Sequence, residues 1–349
     1  MKEPKVIQLP REILMGPRVL DRVGVLCERL ELEGRALVVA DRTTLEIAGK
    51  RVIRRLKERG YEAEHVTITD ADMRAVREVE QHTRGAGFLL GVGGGRPIDV
   101  AKYASFRAGR PFISVPTAAS HDGIASSRAS IRGKRKPTSI ESHAPLGIVA
   151  DTLVIKRAPH RLLAAGCGDV IANLTAVRDW QLAHRLRGEP YSEYAATLAL
   201  VSAELVMENA RVIRKHTEES VRKVVKSLIS SSVAMAIAGS SRPASGAEHL
   251  FSHALDRIAP KPALHGEQCG VGTIMMAYLH GLRWRRIRAL LKRVGAPVDC
   301  EGLGVPPEAV IEALTMAHRV RDRYTILGES GLSREAAEKL ARRTGVIPE

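Results

Sequence analysis

An α/β domain built on a parallel sheet, followed by an all-helical domain, is what this sequence predicts. Three observations carry the prediction. The chain has 349 residues, enough for two cores at roughly 150 residues per domain. Up to about residue 155, short β-rich runs alternate with amphipathic stretches. Beyond Arg157, long Ala/Leu/Arg segments with helical spacing take over and β-branched runs become rare.

The strand-like runs lie at residues 6–9, 36–40, 64–68, 88–91, 112–115 and 147–150. Between most of them come stretches of helical period, such as 44–59, closed by Gly60, and 71–83. Strand alternating with helix argues for a parallel sheet covered on both faces. The boundary is expected around Ala158-Pro159, giving an α/β domain over 1–157 and a helical metal-binding domain over 158–349. The polar stretch SSRASIRGKRKPTS, with Gly133 in its middle, reads as a hairpin or mobile loop. Its cations are Arg128, Arg132, Lys134, Arg135 and Lys136.

Composition excludes several classes. A hydrophobic share of 44% and a charged share of 27% rule out a disordered or low-complexity chain. No apolar run approaches the roughly 18–20 residues that cross a bilayer, and MKEPKVIQLPREIL lacks the apolar core of a secretory signal. Cys27, Cys167, Cys269 and Cys300 lie far apart without a CxxC, against a disulfide scaffold or a zinc finger. A cytoplasmic protein is expected. The excess of 54 basic over 39 acidic residues, +15, suits nucleic acid, anionic lipid or phosphorylated ligands, or simply a solvated arginine-rich surface. With only 3% aromatic residues, platforms for stacking bases are scarce.

The strongest local signal is FLLGVGGGRPIDVAK, residues 88–102. An apolar strand runs into Gly93, Gly94 and Gly95, and Pro97 stands in the first turn of the following helix. Glycines let backbone N–H groups approach an anion, and the helix directs its positive end there. A pyrophosphate fits; a plain tight turn would use the same residues. GxGxxG is not satisfied, because Arg96 stands where the last glycine belongs. The best ribose-binding acid, Asp41, precedes the loop instead of following it. Its neighbour Arg42 suits a 2′-phosphate, so NAD(H) and NADP(H) both stay open. Next, FISVPTAASHDGIASS offers Thr117 and Ser120 to a phosphate or amide and Asp122 to substrate or metal. A helix cap by Ser120 or Asp122 is the alternative.

His249 and His253 stand at i, i+4 in SGAEHLFSHALDRIA, on one helix face. His265 lies in PALHGEQCG, and Asp169 in AAGCGDVIAN. One Asp with two His leaves a coordination position open, which suits catalytic Zn²⁺ and is compatible with iron. A metalloprotease reading fails, since Leu250 rather than Glu follows His249.

Together, GGG-x-x-x-D-x-x-K, a PT-A-S segment and Asp…His-x-x-x-His…His-Gly resemble the iron-dependent alcohol dehydrogenase and dehydroquinate synthase-like superfamily. GVGGGRPIDVAK, SVPTAASHDG and PALHGEQCGVGT narrow the resemblance to its sn-glycerol-1-phosphate dehydrogenase branch, over nearly the whole chain. The resemblance implies one Zn²⁺ held by Asp169, His249 and His265, with Asp122, Asp169 and His253 touching substrate and Asp122 and His253 catalytic. It also implies that the dinucleotide contacts Gly94, Gly95, Arg96, Pro97, Ile98, Asp99, Thr117, Ala118, Ala119, Ser120 and Ser126. The implied reaction reduces dihydroxyacetone phosphate to sn-glycerol 1-phosphate for archaeal ether phospholipids. His253 or a metal-linked water would give the proton. A homo-oligomer is expected, with no nucleic acid and no membrane span. A polyol dehydrogenase of the same superfamily and a basic nucleic-acid-binding protein are the alternatives.

Overall fold

The computed structural model describes residues 6–133 and 137–349. Its strands are β1 (Glu12–Gly16), β2 (Arg35–Ala40), β3 (Ala63–Thr67), β4 (Ala86–Gly93), β5 (Phe112–Pro116), β6 (Arg128–Arg132), β7 (Pro137–Glu141) and β8 (Gly147–Asp151). Six of them form one sheet in the order β1-β8-β5-β4-β2-β3, every pair parallel. The central strands are buried along almost their whole length, as a sheet covered on both faces requires. Leu26, Val38, Val52, Leu56, Phe88, Leu90 and Val149 pack into the core against it.

The first strand differs from expectation. Residues 6–9 form no strand, and Val6 is 81% exposed. The edge strand is β1, paired with β8 from Glu12↔Gly147 to Gly16↔Asp151. Pro10 has no N–H to give a ladder, and the run before it finds no partner to bury against.

Strand order reverses between β2 and β4: β3 grows outward from β2, whereas β5, β8 and β1 lie on the far side of β4. Open α/β sheets bind ligands at the carboxyl ends of the strands at such a reversal. Asp41 follows β2 there, and the glycine loop ends β4. The polar stretch forms the antiparallel hairpin β6–β7, paired from Arg128↔Glu141 to Arg132↔Pro137. Lys134, Arg135 and Lys136 lie outside the described residues.

Two compact units divide the chain, one of Met1–Pro159 with Thr217–Val225, the other of His160–His216 with Lys226–Glu349. Among the described residues no strand follows Asp151. The second unit is helical, and Trp180 packs with Val177, Ala195, Ala199 and Ala234 in one of its cores. Its helices His160–Ile171 and His265–Leu279 meet through glycines. A Cβ on Gly168 would stand 2.1 Å from the Gly266 carbonyl oxygen, and one on Gly266 would stand 2.0 Å from that of Ala165. Only glycine permits this approach, and it brings Asp169 beside the first turn of the facing helix. No helix among the described residues is long and apolar enough to cross a membrane.

Candidate active site

Three helices of the second unit supply the metal-ligand candidates. Asp169 comes from His160–Ile171, His249 from Ala247–Ile258, and His265 opens His265–Leu279. Asp169 Oδ1 lies 3.6 Å from His249 Nε2 and 3.7 Å from His265 Nε2. Both exceed hydrogen-bond length. They approach the spacing of about 3.3 Å expected of two N/O ligands on one tetrahedral ion.

The outer nitrogens fix which ring atom faces inward. His249 Nδ1 is 3.0 Å from Glu248 Oε1, and an ionised carboxylate only accepts, so Nδ1 carries the proton. Ser252 Oγ donates to Gln268 Oε1 at 3.1 Å and therefore accepts from His265 Nδ1, also at 3.1 Å. In each neutral ring the Nε2 lone pair then points at the Asp169 oxygen, an arrangement that a divalent cation stabilises. Without one, protons serve: burial disfavours a charged His265, but Cys269 and Asp169 outweigh it and push its pKa up to about 9. His249 is raised well above the usual imidazole value against the same burial, by Cys269, Asp169 and Glu248.

Glu248 and Cys269 were not singled out in the sequence. Glu248 is fully buried, accepting from Thr175 Oγ1 at 2.6 Å and from the Gly246 amide. Asp179 accepts from the Ala247 amide at 2.7 Å, so two buried acids hold the start of the His249 helix. Glu248→Gln should leave the fold intact and weaken metal affinity about 10–100-fold, the usual effect of losing an outer carboxylate. Competition against a chelator measures it. Cys269 completes a cluster with Asp169, His249 and His265 in which all four donor atoms lie within 4.8 Å.

His253 stands outside that cluster. Its ring stacks on His265 with centroids 5.6 Å apart, Nδ1 is 3.7 Å from Asp256, and Nε2 accepts from Arg321 Nη2 at 3.0 Å. Burial, with the neighbouring His265 and Arg321, holds its pKa well below the usual value, and it is neutral near pH 7.

The remaining candidates belong to the first unit. Gly94 caps the helix Gly95–Arg107 with no side chain on its leading N–H groups, and a Cβ on Gly94 meets nothing within 4 Å. Gly93 is confined by Pro97, and a Cβ on Gly95 would strike His121 Nε2 at 2.4 Å. Pro97 and Ile98 are buried, and exposed Arg96 reaches the Thr69 carbonyl. The Asp99 carboxylate is buried, taking Lys102 at 3.4 Å and the Ser130 amide at 3.0 Å. Thr117 donates its amide to the Gly93 carbonyl at 2.9 Å, tying the end of β5 to the loop. Ala118, Ala119 and Ser126 are buried, and Ser120 and Asp122 half-buried. The alternative of a cap by Ser120 or Asp122 is taken instead by His121, whose Nδ1 accepts from the Gly123 amide at 2.9 Å. Asp41 also caps locally, accepting from the Thr44 amide at 2.8 Å, while Arg42 is exposed.

Residues 14–159 match the family model described as iron-containing alcohol dehydrogenase. A glycerol-1-phosphate dehydrogenase (NAD(P)+) of Methanothermobacter thermautotrophicus is 58% identical over 99% of this chain and 100% of its own. The enzyme of that name from Thermococcus sibiricus is 59% identical over 98% of both chains. Among solved structures, glycerol dehydrogenase of Schizosaccharomyces pombe aligns with a TM-score of 0.80 at 20% identity, over 98% of this chain and 91% of its own. A probable glycerol dehydrogenase of Sinorhizobium meliloti aligns at 0.78 and 19%, over 97% and 98%. At such identities the structures speak for the fold alone.

Proposed function

Because the chain belongs to the glycerol-1-phosphate dehydrogenase family, oxidoreductases working with NAD(P), we propose that it reduces dihydroxyacetone phosphate to sn-glycerol 1-phosphate on a Zn²⁺ centre. The observation that carries this reading is the convergence of Asp169, His249 and His265 on one point with their outer nitrogens already satisfied. A divalent ion bound there supplies Lewis acidity to the substrate carbonyl, and the reduced nicotinamide supplies the hydride.

The chain's own residues do the rest. Gly94 and Gly95 leave the helix N-terminus bare for the pyrophosphate. Asp41 stands at the sheet's reversal for the adenine ribose, and Thr117 to Ser120, which follow β5, with Ser126 hold the dinucleotide. Asp122 binds the substrate's hydroxyl. His253, held neutral, offers Nδ1–H as a hydrogen bond that orients the substrate oxygen, and as a poor acid it leaves the proton itself to come from water. For the phosphate we assign Arg321, hydrogen-bonded to His253. The product suits the backbone of archaeal ether phospholipids, made in the cytoplasm by a homo-oligomer.

Metal analysis of the purified protein, with NADH- and NADPH-dependent reduction of the triose phosphate, tests the whole reading. Gly94→Val tests the cofactor half. A valine there meets open space in the protein but stands where the pyrophosphate approaches. Dinucleotide affinity should fall about a hundredfold or more with an unchanged melting temperature. Fluorescence titration giving wild-type affinity for both dinucleotides would reduce the glycine loop to a turn.

A further inference from the structure

We propose that Cys269 Sγ is a fourth protein ligand of the Asp169–His249–His265 centre in the substrate-free protein, a reading that rests on the metal centre above. Cys269 is one helical turn beyond His265 on the helix His265–Leu279, so both side chains leave the same face. Its Sγ lies 3.6 Å from His265 Nε2. Sulfur at about 2.3 Å and nitrogen at about 2.0 Å from one tetrahedral zinc stand about 3.6 Å apart.

The residue is fully buried, and Sγ belongs to the set of four donor atoms within 4.8 Å. Cys167, on the helix that carries Asp169, is equally buried yet lies outside that set, so burial alone does not bring a thiol to the centre.

Asp169, His249 and His265 come from three helices, and Cys269 shares its helix with one of them. Binding exchanges the thiol proton for the metal–sulfur bond: one proton leaves to solvent and no oxidation state changes. Zinc centres expand from four to five ligands during catalysis, so the thiolate does not block a carbonyl oxygen from entering.

Cobalt(II) makes the assignment visible, because a thiolate bound to cobalt gives an intense near-ultraviolet charge-transfer band that nitrogen and oxygen ligands do not. The full-length protein is stripped with a chelator, loaded with Co²⁺ and scanned. The wild type should take one cobalt per chain and show the band. Cys269→Ser and Cys269→Ala, at saturating cobalt, should keep the metal and lose the band entirely, whereas Cys167→Ala should keep both. Cobalt bound by the wild type without the band overturns the thiolate ligand and leaves the metal centre standing. A band that persists in the Cys269 variants, or disappears in Cys167→Ala alone, likewise overturns it. A wild type that takes up no cobalt overturns the centre and this ligand together. If the Cys269 variants fail to fold, the wild-type band and its survival in Cys167→Ala, Cys27→Ala and Cys300→Ala decide the assignment.

Discussion

Alanine in place of Asp169, His249 or His265 should strip most of the metal from protein dialysed against a chelator and lower kcat about a thousandfold or more. The loss of Lewis-acid stabilisation is worth several kcal/mol, and each 1.4 kcal/mol is tenfold in rate. Asp169 matters most to the charge balance, because its one oxygen faces both imidazoles at 3.6 and 3.7 Å. Without it, the two Nε2 atoms lose the carboxylate they share. His253→Ala should behave differently. Its Nε2 accepts from Arg321 and its Nδ1 faces Asp256 at 3.7 Å, both away from the cluster, so the metal should stay while catalysis falls. Metal content by emission spectroscopy, measured beside the initial rate, separates the two classes. If His253→Ala lost metal as completely as His249→Ala, His253 would belong among the metal ligands rather than the substrate contacts.

That contrast shows how far the sequence could be read. Helical spacing put His249 and His253 on one face, and nothing in periodicity says which imidazole meets a carboxylate from another helix. The resemblance to a family chose between them; in the structure His249 Nε2 stands 3.6 Å from Asp169 while His253 stacks on His265. The same i, i+4 rule joins His265 to Cys269, so that donor was within reach. CxxC spacing, the signature of structural zinc sites, does not single out a lone cysteine on a helix. Glu248 carries no motif of its own in the sequence; its place against His249 Nδ1 comes from the fold. The parallel sheet was legible because buried strands are apolar throughout. Its edge was not, since the exposed run at residues 6–9 and the true edge strand Glu12–Gly16 have similar composition. Pairing with β8, a tertiary fact, decided between them.

Substrate choice gives the other large effect. The protein should reduce dihydroxyacetone phosphate with a kcat/KM at least about a hundredfold above that for dihydroxyacetone. Charge-assisted hydrogen bonds contribute about 1.5–3 kcal/mol each, so two from one guanidinium to a phosphate suffice for that ratio. Arg321 is the cation next to the substrate histidine, and a planar guanidinium binds phosphate bidentately. Arg321→Gln should therefore raise KM for the phosphorylated ketone and collapse the preference, leaving the slow reduction of dihydroxyacetone nearly unchanged. Equal losses on both ketones would mean that Arg321 serves only to orient His253, and the phosphate must be held elsewhere. Comparable wild-type efficiencies would point to a glycerol dehydrogenase instead. A phosphate anchored away from the reacting carbon also decides which carbonyl face meets the nicotinamide, so affinity and handedness are coupled. Chiral analysis should find only sn-glycerol 1-phosphate. The 3-phosphate would leave the hydride chemistry intact but require the ketone to enter with its other face toward the cofactor, which overturns the proposed substrate orientation.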